Sequence, residues 1–118
     1  MPGGRLLIIA PDGDLRSSLV FLLEAAGYVV TSRPDISSYP KSETFDCTVL
    51  DHQAIPRPDL VIELKPKLGP IILLAGGSSP WLESLVFRVV RKPLLGEPLI
   101  AAVEAALRSV RSGGRGTK

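Results

Sequence analysis

The sequence predicts an α/β domain in which a doubly wound sheet of five parallel strands is covered by helices on both faces. Apolar runs of strand length recur along the chain, and residues 6–9 and 71–74 contain no polar residue, which is typical of strands buried on both faces. Segments with apolar residues at helical spacing lie between these runs, and strands that alternate with helices form parallel sheets. At 118 residues, the chain has the length of one domain.

The first half of the chain contains three predicted strands, at residues 5–10, 28–31 and 45–50. A helix is predicted between the first and second strands. Asp12, in the turn after the first strand, is its expected N-cap, and Gly27 is its expected C-cap. The polar segment that follows the second strand contains two prolines, so any helix there has one or two turns.

The second half adds two predicted strands, at residues 71–74 and 86–90. A helix over residues 59–65 is expected to stop at Pro66, and residues 81–85 form at best a stunted fourth helix. Apolar residues at helical spacing then predict a fifth helix, with a stripe formed by Leu99, Val103, Ala106 and Val110.

The predicted strand order is 2-1-3-4-5, with the first and fifth helices on one face of the sheet and the second to fourth on the other. The domain is expected to span residues 1–111. A flexible basic tail is expected at residues 112–118, because this segment is rich in glycine and basic residues.

Composition excludes several classes of protein. Hydrophobic residues make up 45% of the chain and charged residues 22%, whereas a disordered chain would be charged and poor in apolar residues. No apolar run approaches the roughly 18 residues of a membrane span, and the N-terminus lacks a secretory layout. The single cysteine, Cys47, excludes an internal disulfide and predicts a cytoplasmic protein with no membrane attachment. One histidine and one cysteine cannot form a Cys/His zinc site.

The net charge of +2 conceals an uneven distribution. Four basic and no acidic residues lie in the last eleven positions, so the chain before Arg108 carries −2, from 10 basic and 12 acidic residues. The basic end has no interleaved aromatic residues and no recognition helix, so we expect no contact with DNA and interpret it as a solubilising tail.

Polar and turn-forming residues follow the predicted strands at one edge of the sheet, where ligands of open parallel sheets bind. A carboxylate, an amide-rich turn and an ammonium group would converge there. This combination suits a phosphoryl group, with the carboxylate as nucleophile or metal ligand and the lysine stabilising negative charge. The segments are Ala10–Asp12, Asp51, Ala75–Gly77 and Arg91–Pro93.

Several motifs along residues 5–110 are shared with a known family: the strand 6–9, the helix 16–23 with Gly27–Val30, the strand 45–51, the segment 69–74, and Lys92-Pro93. On these motifs the chain resembles a response-regulator receiver domain of bacterial two-component signalling, which has a flavodoxin-like fold. The resemblance implies that Asp51 is the position that accepts a phosphoryl group from a kinase histidine with the help of Mg²⁺. It also implies that Lys92, followed by Pro93 after a cis peptide bond, binds the phosphoryl oxygens.

The sequence departs from that family at the remaining site positions. The pair of acids that holds Mg²⁺ in the family falls on Ala10 and Pro11, which leaves Asp12 as a weak candidate ligand. The hydroxyl residue of the switch falls on Ala75, and its aromatic partner falls on Val89. The chain therefore resembles an atypical receiver, or pseudo-receiver, for which we expect no cofactor or only weakly bound Mg²⁺.

Structural interpretations stand beside the functional ones. Asp51 and Lys92 are expected to form an ion pair that serves mainly the fold. The turn at Gly76, Gly77 and Ser78 could bind an anion through backbone amides, although such a stretch is more often a flexible turn.

Three single residues have interpretations of their own. His52 follows Asp51 directly, and neighbours on a strand point to opposite faces, so we expect a loop or surface histidine and no dyad. Cys47 is interpreted as a core residue. Trp81 is either a core plug or an exposed anchor for a partner.

The expected function is that of a receiver-like module that acts by protein–protein contact and has no catalytic residues. The expected partner is a histidine kinase or another signalling domain, or a second copy bound through the face of the fourth helix, fifth strand and fifth helix. A working phosphoacceptor at Asp51 is the alternative within the family. A small flavodoxin-like protein that binds a nucleotide or anion is the alternative from another class.

Overall fold

A computed structural model describes residues 4–36, 43–55, 59–76, 80–92 and 97–116. Its strands are β1 (Arg5–Ile9), β2 (Val29–Arg33), β3 (Cys47–Asp51), β4 (Ile71–Ala75) and β5 (Arg88–Arg91). Its α-helices in these ranges are α1 (Gly13–Ala25), α2 (Asp59–Leu68), α3 (Pro80–Glu83) and α4 (Glu97–Gly116). A short 3-10 helix, His52–Ala54, follows β3.

The five strands form one sheet in the order β2-β1-β3-β4-β5, and every neighbouring pair is parallel. The predicted fold class and strand order are therefore confirmed. The central strands are almost completely buried, since all five residues of β3 and all five of β4 are buried. This explains the unbroken apolar sequence of β4, whereas β3 also buries Thr48 and Asp51.

Two apolar cores lie on the two faces of the sheet, because side chains alternate between the faces along each strand. Leu6 and Ile8 of β1 pack in the core formed with α1 and α4. Leu7 and Ile9 point the other way and pack in the core formed with α2 and α3. The predicted distribution of helices is confirmed for these four, with α4 as the predicted fifth helix.

Helix α1 begins and ends close to where the sequence predicts. The Asp12 side chain accepts hydrogen bonds from the backbone N–H groups of Asp14 and Leu15 at 2.9 and 3.4 Å, so it is the N-cap. The helix closes at Ala26, and Gly27 follows with φ of 101°, a conformation that favours glycine.

The structure corrects the predicted bounds of two elements. Helix α2 does not stop at Pro66 but continues to Leu68, whose buried side chain packs in the core and whose carbonyl accepts a 2.6 Å hydrogen bond from the Thr48 hydroxyl. Strand β5 begins at Arg88 and not at Val86, because turn hydrogen bonds continue after α3 as far as the Val86 N–H.

Helix α4 runs to Gly116, past residue 111, where the sequence places the end of the domain and the start of a tail. Its apolar stripe is confirmed as far as it is described, since Leu99, Val103 and Ala106 are all buried. Among the described residues, no helix has the length and apolar character needed to cross a membrane.

Candidate functional site

The candidate site lies at the carboxyl edge of the sheet. Asp51 is the last residue of β3, Ala75 is the last residue of β4, and Lys92 follows β5 directly. Ala10 and Asp12 follow β1 at the same edge. Because all five strands are parallel, the fold brings these positions to one side of the molecule, as the sequence predicts.

Asp51 and Lys92 form a close ion pair. The Lys92 ammonium nitrogen lies 3.0 Å from Asp51 Oδ1 and 3.1 Å from Asp51 Oδ2, so it donates to both carboxylate oxygens. The Asp51 side chain is 0% exposed and the Lys92 side chain 24% exposed. A backbone hydrogen bond of 3.0 Å from the Lys92 N–H to the Ala75 carbonyl holds the lysine beside β4.

The Asp51 carboxylate also caps the 3-10 helix that follows it. Asp51 Oδ1 accepts a 3.0 Å hydrogen bond from the backbone N–H of Gln53. The Asp51 carboxylate is inaccessible to water, and this hydrogen bond and the two from Lys92 replace the hydrogen bonds that water would otherwise make. A buried charge requires such partners. The Gln53 contact has no strong signal in the sequence beyond an Asp at a strand end.

The expectation that His52 lies in a surface loop and forms no dyad with Asp51 holds in part, because its side chain is 38% exposed and its hydrogen bond goes to Leu74, but its ring comes close to Asp51. His52 Nδ1 lies 3.4 Å from Asp51 Oδ1 and 3.1 Å from the Leu74 carbonyl oxygen. Strand alternation places successive side chains on opposite faces only while the strand continues, and β3 ends at Asp51. His52 begins the 3-10 helix, so its imidazole turns toward the same edge of the sheet.

The end of β1 contains a cation that the sequence interpretation did not assign to the site. The Arg16 guanidinium donates a 2.8 Å hydrogen bond to the Ala10 carbonyl and a 3.4 Å hydrogen bond to the Pro11 carbonyl. These are the two residues that stand where the resembling family has acids. The only sequence signal for this contact is an arginine in the first turn of α1.

The donors at this edge do not fit Mg²⁺, which requires near-octahedral oxygen ligands. Ala10 is buried and has no side-chain donor, and Pro11 is exposed with none. Asp12 is exposed, and its Oδ1 is engaged by the N-terminus of α1, while both Asp51 oxygens are engaged by Lys92. Within the described ranges, no group of three or more His, Cys, Asp or Glu side chains could hold a metal ion.

The two positions that the resemblance assigns to the switch, Ala75 and Val89, carry aliphatic side chains. Ala75 is 4% exposed and has no hydroxyl group. Val89 is partly buried and packs against the core that contains Leu7 and Ile9. An aliphatic side chain at this position offers no ring and no hydrogen-bonding group.

The structure describes some of the remaining predicted residues and leaves others outside the described ranges. Cys47 is buried, and burial, with a smaller effect from Asp46, raises the pKa of its thiol from 9.0 to about 12, so it is a core residue as predicted. Gly76 is exposed with open space around it. The rest of the candidate anion turn, Gly77 and Ser78, lies outside the described residues, as do Pro93 and the side chain of Trp81.

The chain matches no protein-family model and no curated protein sequence. It is similar in structure to full-length FixJ from B. japonicum, with a TM-score of 0.80 and 23% identity over 98% of this chain and 63% of that one. It is also similar to a response-regulator receiver domain protein from Clostridium thermocellum, with a TM-score of 0.78 and 20% identity over 92% of this chain and 97% of that one.

A third similar structure is the receiver domain of a sensor histidine kinase from Pseudomonas aeruginosa PAO1, which has a magnesium ion in its active-site cleft. The TM-score is 0.78 and the identity 17%, over 91% of this chain and 99% of that one. The likeness is therefore one of tertiary structure, and this chain spans less than two thirds of full-length FixJ. The chain has the fold of a response-regulator receiver domain.

Proposed function

We propose that this chain is an atypical receiver module of a two-component or phosphorelay system, in which phosphorylation of Asp51 is impaired or absent and signalling depends on protein–protein contact. The observation that carries the proposal is the state of Asp51. Its carboxylate is 0% exposed, and the Lys92 ammonium group contacts both of its oxygens.

A phosphoacceptor carboxylate must reach the phosphorus atom, and the charge that develops during transfer must be stabilised. Asp51 is poorly suited to the first requirement because burial and Lys92 shield it. The second is unmet at β1, where Ala10 and Pro11 supply only backbone carbonyls, both of which accept from Arg16. These contacts support a structural role for Asp51 and Lys92.

The proposed contact face is formed by α3, β5 and α4, and the proposed partner is a histidine kinase, another signalling domain or a second copy of this chain. β5 is an edge strand of the sheet. A groove of about 370 Å³ runs between β5 and α4, and its lining includes Arg88, Pro98 and Ala101. The single cysteine, Cys47, is buried and unpaired, which supports a module that works in the reducing cytoplasm. The proposed signalling module has no catalytic activity of its own.

Phosphorylation with acetyl phosphate and Mg²⁺, followed by intact mass measurement, tests the proposal. We expect no phosphoryl group on Asp51 under conditions in which a competent receiver domain is fully modified. A gain of one phosphoryl group that the Asp51→Asn variant abolishes would overturn the proposal and establish the working phosphoacceptor as the function. An Ala75→Thr variant that also gains no group on Asp51 would show that the missing hydroxyl is not the only defect.

The alternative from another class, a small flavodoxin-like nucleotide or anion binder, rests on the turn that contains Gly76. Within the described part of that turn, the exposed, uncrowded surroundings of Gly76 are the feature in its favour. Thermal unfolding with and without nucleotides or inorganic phosphate tests it, because a ligand that binds the folded state raises the melting temperature. We expect no shift.

A further inference from the structure

His52 is held by one acceptor on one of its ring nitrogens. The Leu74 carbonyl oxygen, at 3.1 Å from His52 Nδ1, can only accept a hydrogen bond, and the negatively charged Asp51 Oδ1 lies nearby at 3.4 Å. The Nδ1 atom must therefore carry the proton. In the neutral imidazole, the lone pair then lies on Nε2, since only one of the two ring nitrogens is protonated.

The Nε2 atom is the accessible nucleophile of this edge. The His52 side chain is 38% exposed, whereas that of Asp51 is 0% exposed. Among the residues that the structure describes, none provides a hydrogen-bond partner for Nε2. In the neutral imidazole, the lone pair of Nε2 is available near the lysine that Asp51 binds, which gives the ring a reactivity that the buried carboxylate lacks.

We propose that His52 Nε2 is a phosphoryl acceptor at this site, with a small phosphoramidate or acyl phosphate as donor. Nε2 attacks the phosphorus atom, the N–P bond forms, and the bond from phosphorus to the donor's nitrogen or oxygen breaks. Acetyl phosphate releases acetate, and the nitrogen of phosphoramidate takes up a proton from water and leaves as ammonia. The proton on Nδ1 stays in place throughout.

The neighbours of His52 suit this role. As Nε2 forms its new bond, positive charge develops on the ring, and the carbonyl of Leu74 and the carboxylate of Asp51 lie where they stabilise it. The Asp51 oxygen nearest His52 is also bound by Lys92 at 3.0 Å, so the lysine is anchored beside the imidazole. The inference rests on the proposed function, in which Asp51 itself is not the acceptor.

The test treats the full chain with potassium phosphoramidate and, separately, with acetyl phosphate, and follows intact mass. We expect one phosphoryl group, stable in base and lost in acid, as for a phosphoramidate; an acyl phosphate on Asp51 would be lost in base or hydroxylamine. His52 should react about tenfold faster than the same histidine in a peptide of residues 48–56. That factor corresponds to the stabilisation of the transition state by one hydrogen bond, the one from Nδ1 to Leu74, which the peptide lacks.

Matched variants separate the outcomes. In His52→Asn, the side-chain amide can donate to the Leu74 carbonyl as Nδ1 does, so we expect the variant to fold. It has no Nε2, so we expect it to gain no phosphoryl group. Asp51→Asn removes the carboxylate charge near the ring but leaves Nε2 and the Leu74 contact in place, so we expect it to be modified more slowly than the unaltered chain. Circular dichroism checks that both variants fold.

Two results would overturn the inference. One is a folded chain that reacts no faster than the peptide, which leaves the proposed function intact. The other is a base-labile group that persists in His52→Asn and disappears in Asp51→Asn, which overturns the proposed function as well.

Discussion

Replacing Lys92 by methionine tests whether the ion pair with Asp51 stabilises the fold. The substitution keeps most of the aliphatic stem and removes only the ammonium group. Asp51 would then remain buried with one backbone hydrogen bond, from the Gln53 N–H, and the His52 contact at 3.4 Å. Loss of one partner of a buried pair typically costs 3–5 kcal/mol, roughly, because it leaves an uncompensated charge.

We place the expected loss at the lower end, about 3 kcal/mol, because Lys92 is 24% exposed and water can replace part of its interaction. For a domain of this size, that loss lowers the melting temperature by roughly 10–20 °C. Thermal and urea unfolding, followed by circular dichroism, measure the change. The control is Arg108→Ala, which removes an exposed cation from α4 and should alter stability by no more than about 0.5 kcal/mol.

A double variant, Asp51→Asn with Lys92→Met, distinguishes the ion pair from simple packing. Without a carboxylate, no charge is left buried, so the double variant should be more stable than Lys92→Met alone. A Lys92→Met protein that melts at the wild-type temperature would refute the reasoning. So would a double variant whose loss equals the sum of the two single losses.

Three further predictions concern other parts of the fold. Burial raises the pKa of the Cys47 thiol to about 12, so between pH 9 and 12 this thiol ionises only in the unfolded chain. The free energy of unfolding therefore falls as the pH rises from 9 to 12, by at most about 1.4 kcal/mol per pH unit. Cys47→Ala should remove this slope in urea titrations, and the native thiol should resist alkylation. Asp12→Ala removes the N-cap of α1 and should cost about 1 kcal/mol in the same titrations, with a loss near zero contradicting the capping role. Gly69→Ala should lower the free energy of unfolding by more than about 1 kcal/mol, because φ is +71° and the new Cβ would lie 2.9 Å from the Phe45 carbonyl oxygen. The matched control is Gly13→Ala, which should be tolerated because the nearest atom to its new Cβ lies 3.8 Å away.

Much of the fold was predictable because its determinants are local. Runs such as Leu6–Ile9 and Ile71–Leu74 are apolar on both faces, and only a strand with helices above and below it buries such a sequence. The Asp12 cap and the Gly27 end of α1 follow from capping chemistry, which depends on a few adjacent residues. The bounds of α2 and β5 were less predictable, because packing of Leu68 and the turns after α3 set them.

The position of the candidate site and its central ion pair were predictable, but its other contacts were not. Parallel strands bring their carboxyl ends to one edge, so Asp51 and Lys92 were expected there from the order of elements alone. The alternation rule misplaced His52, because it holds within a strand and β3 ends one residue earlier. Arg16 was missed because a surface arginine on a helix gives no sequence signal that its guanidinium returns to the strand before it.

The sequence by itself determined that this is a five-stranded α/β domain and that Ala10 and Pro11 stand where the resembling family has acids, because both facts depend on residue type and order. The tertiary structure decided how closely the expected partners approach and which other groups join them. Asp51 and Lys92 are separated by 41 residues, and the direction of the His52 ring depends on where β3 ends. Side-chain contacts across the sheet edge arise from the packing of several elements at once, which no local pattern contains.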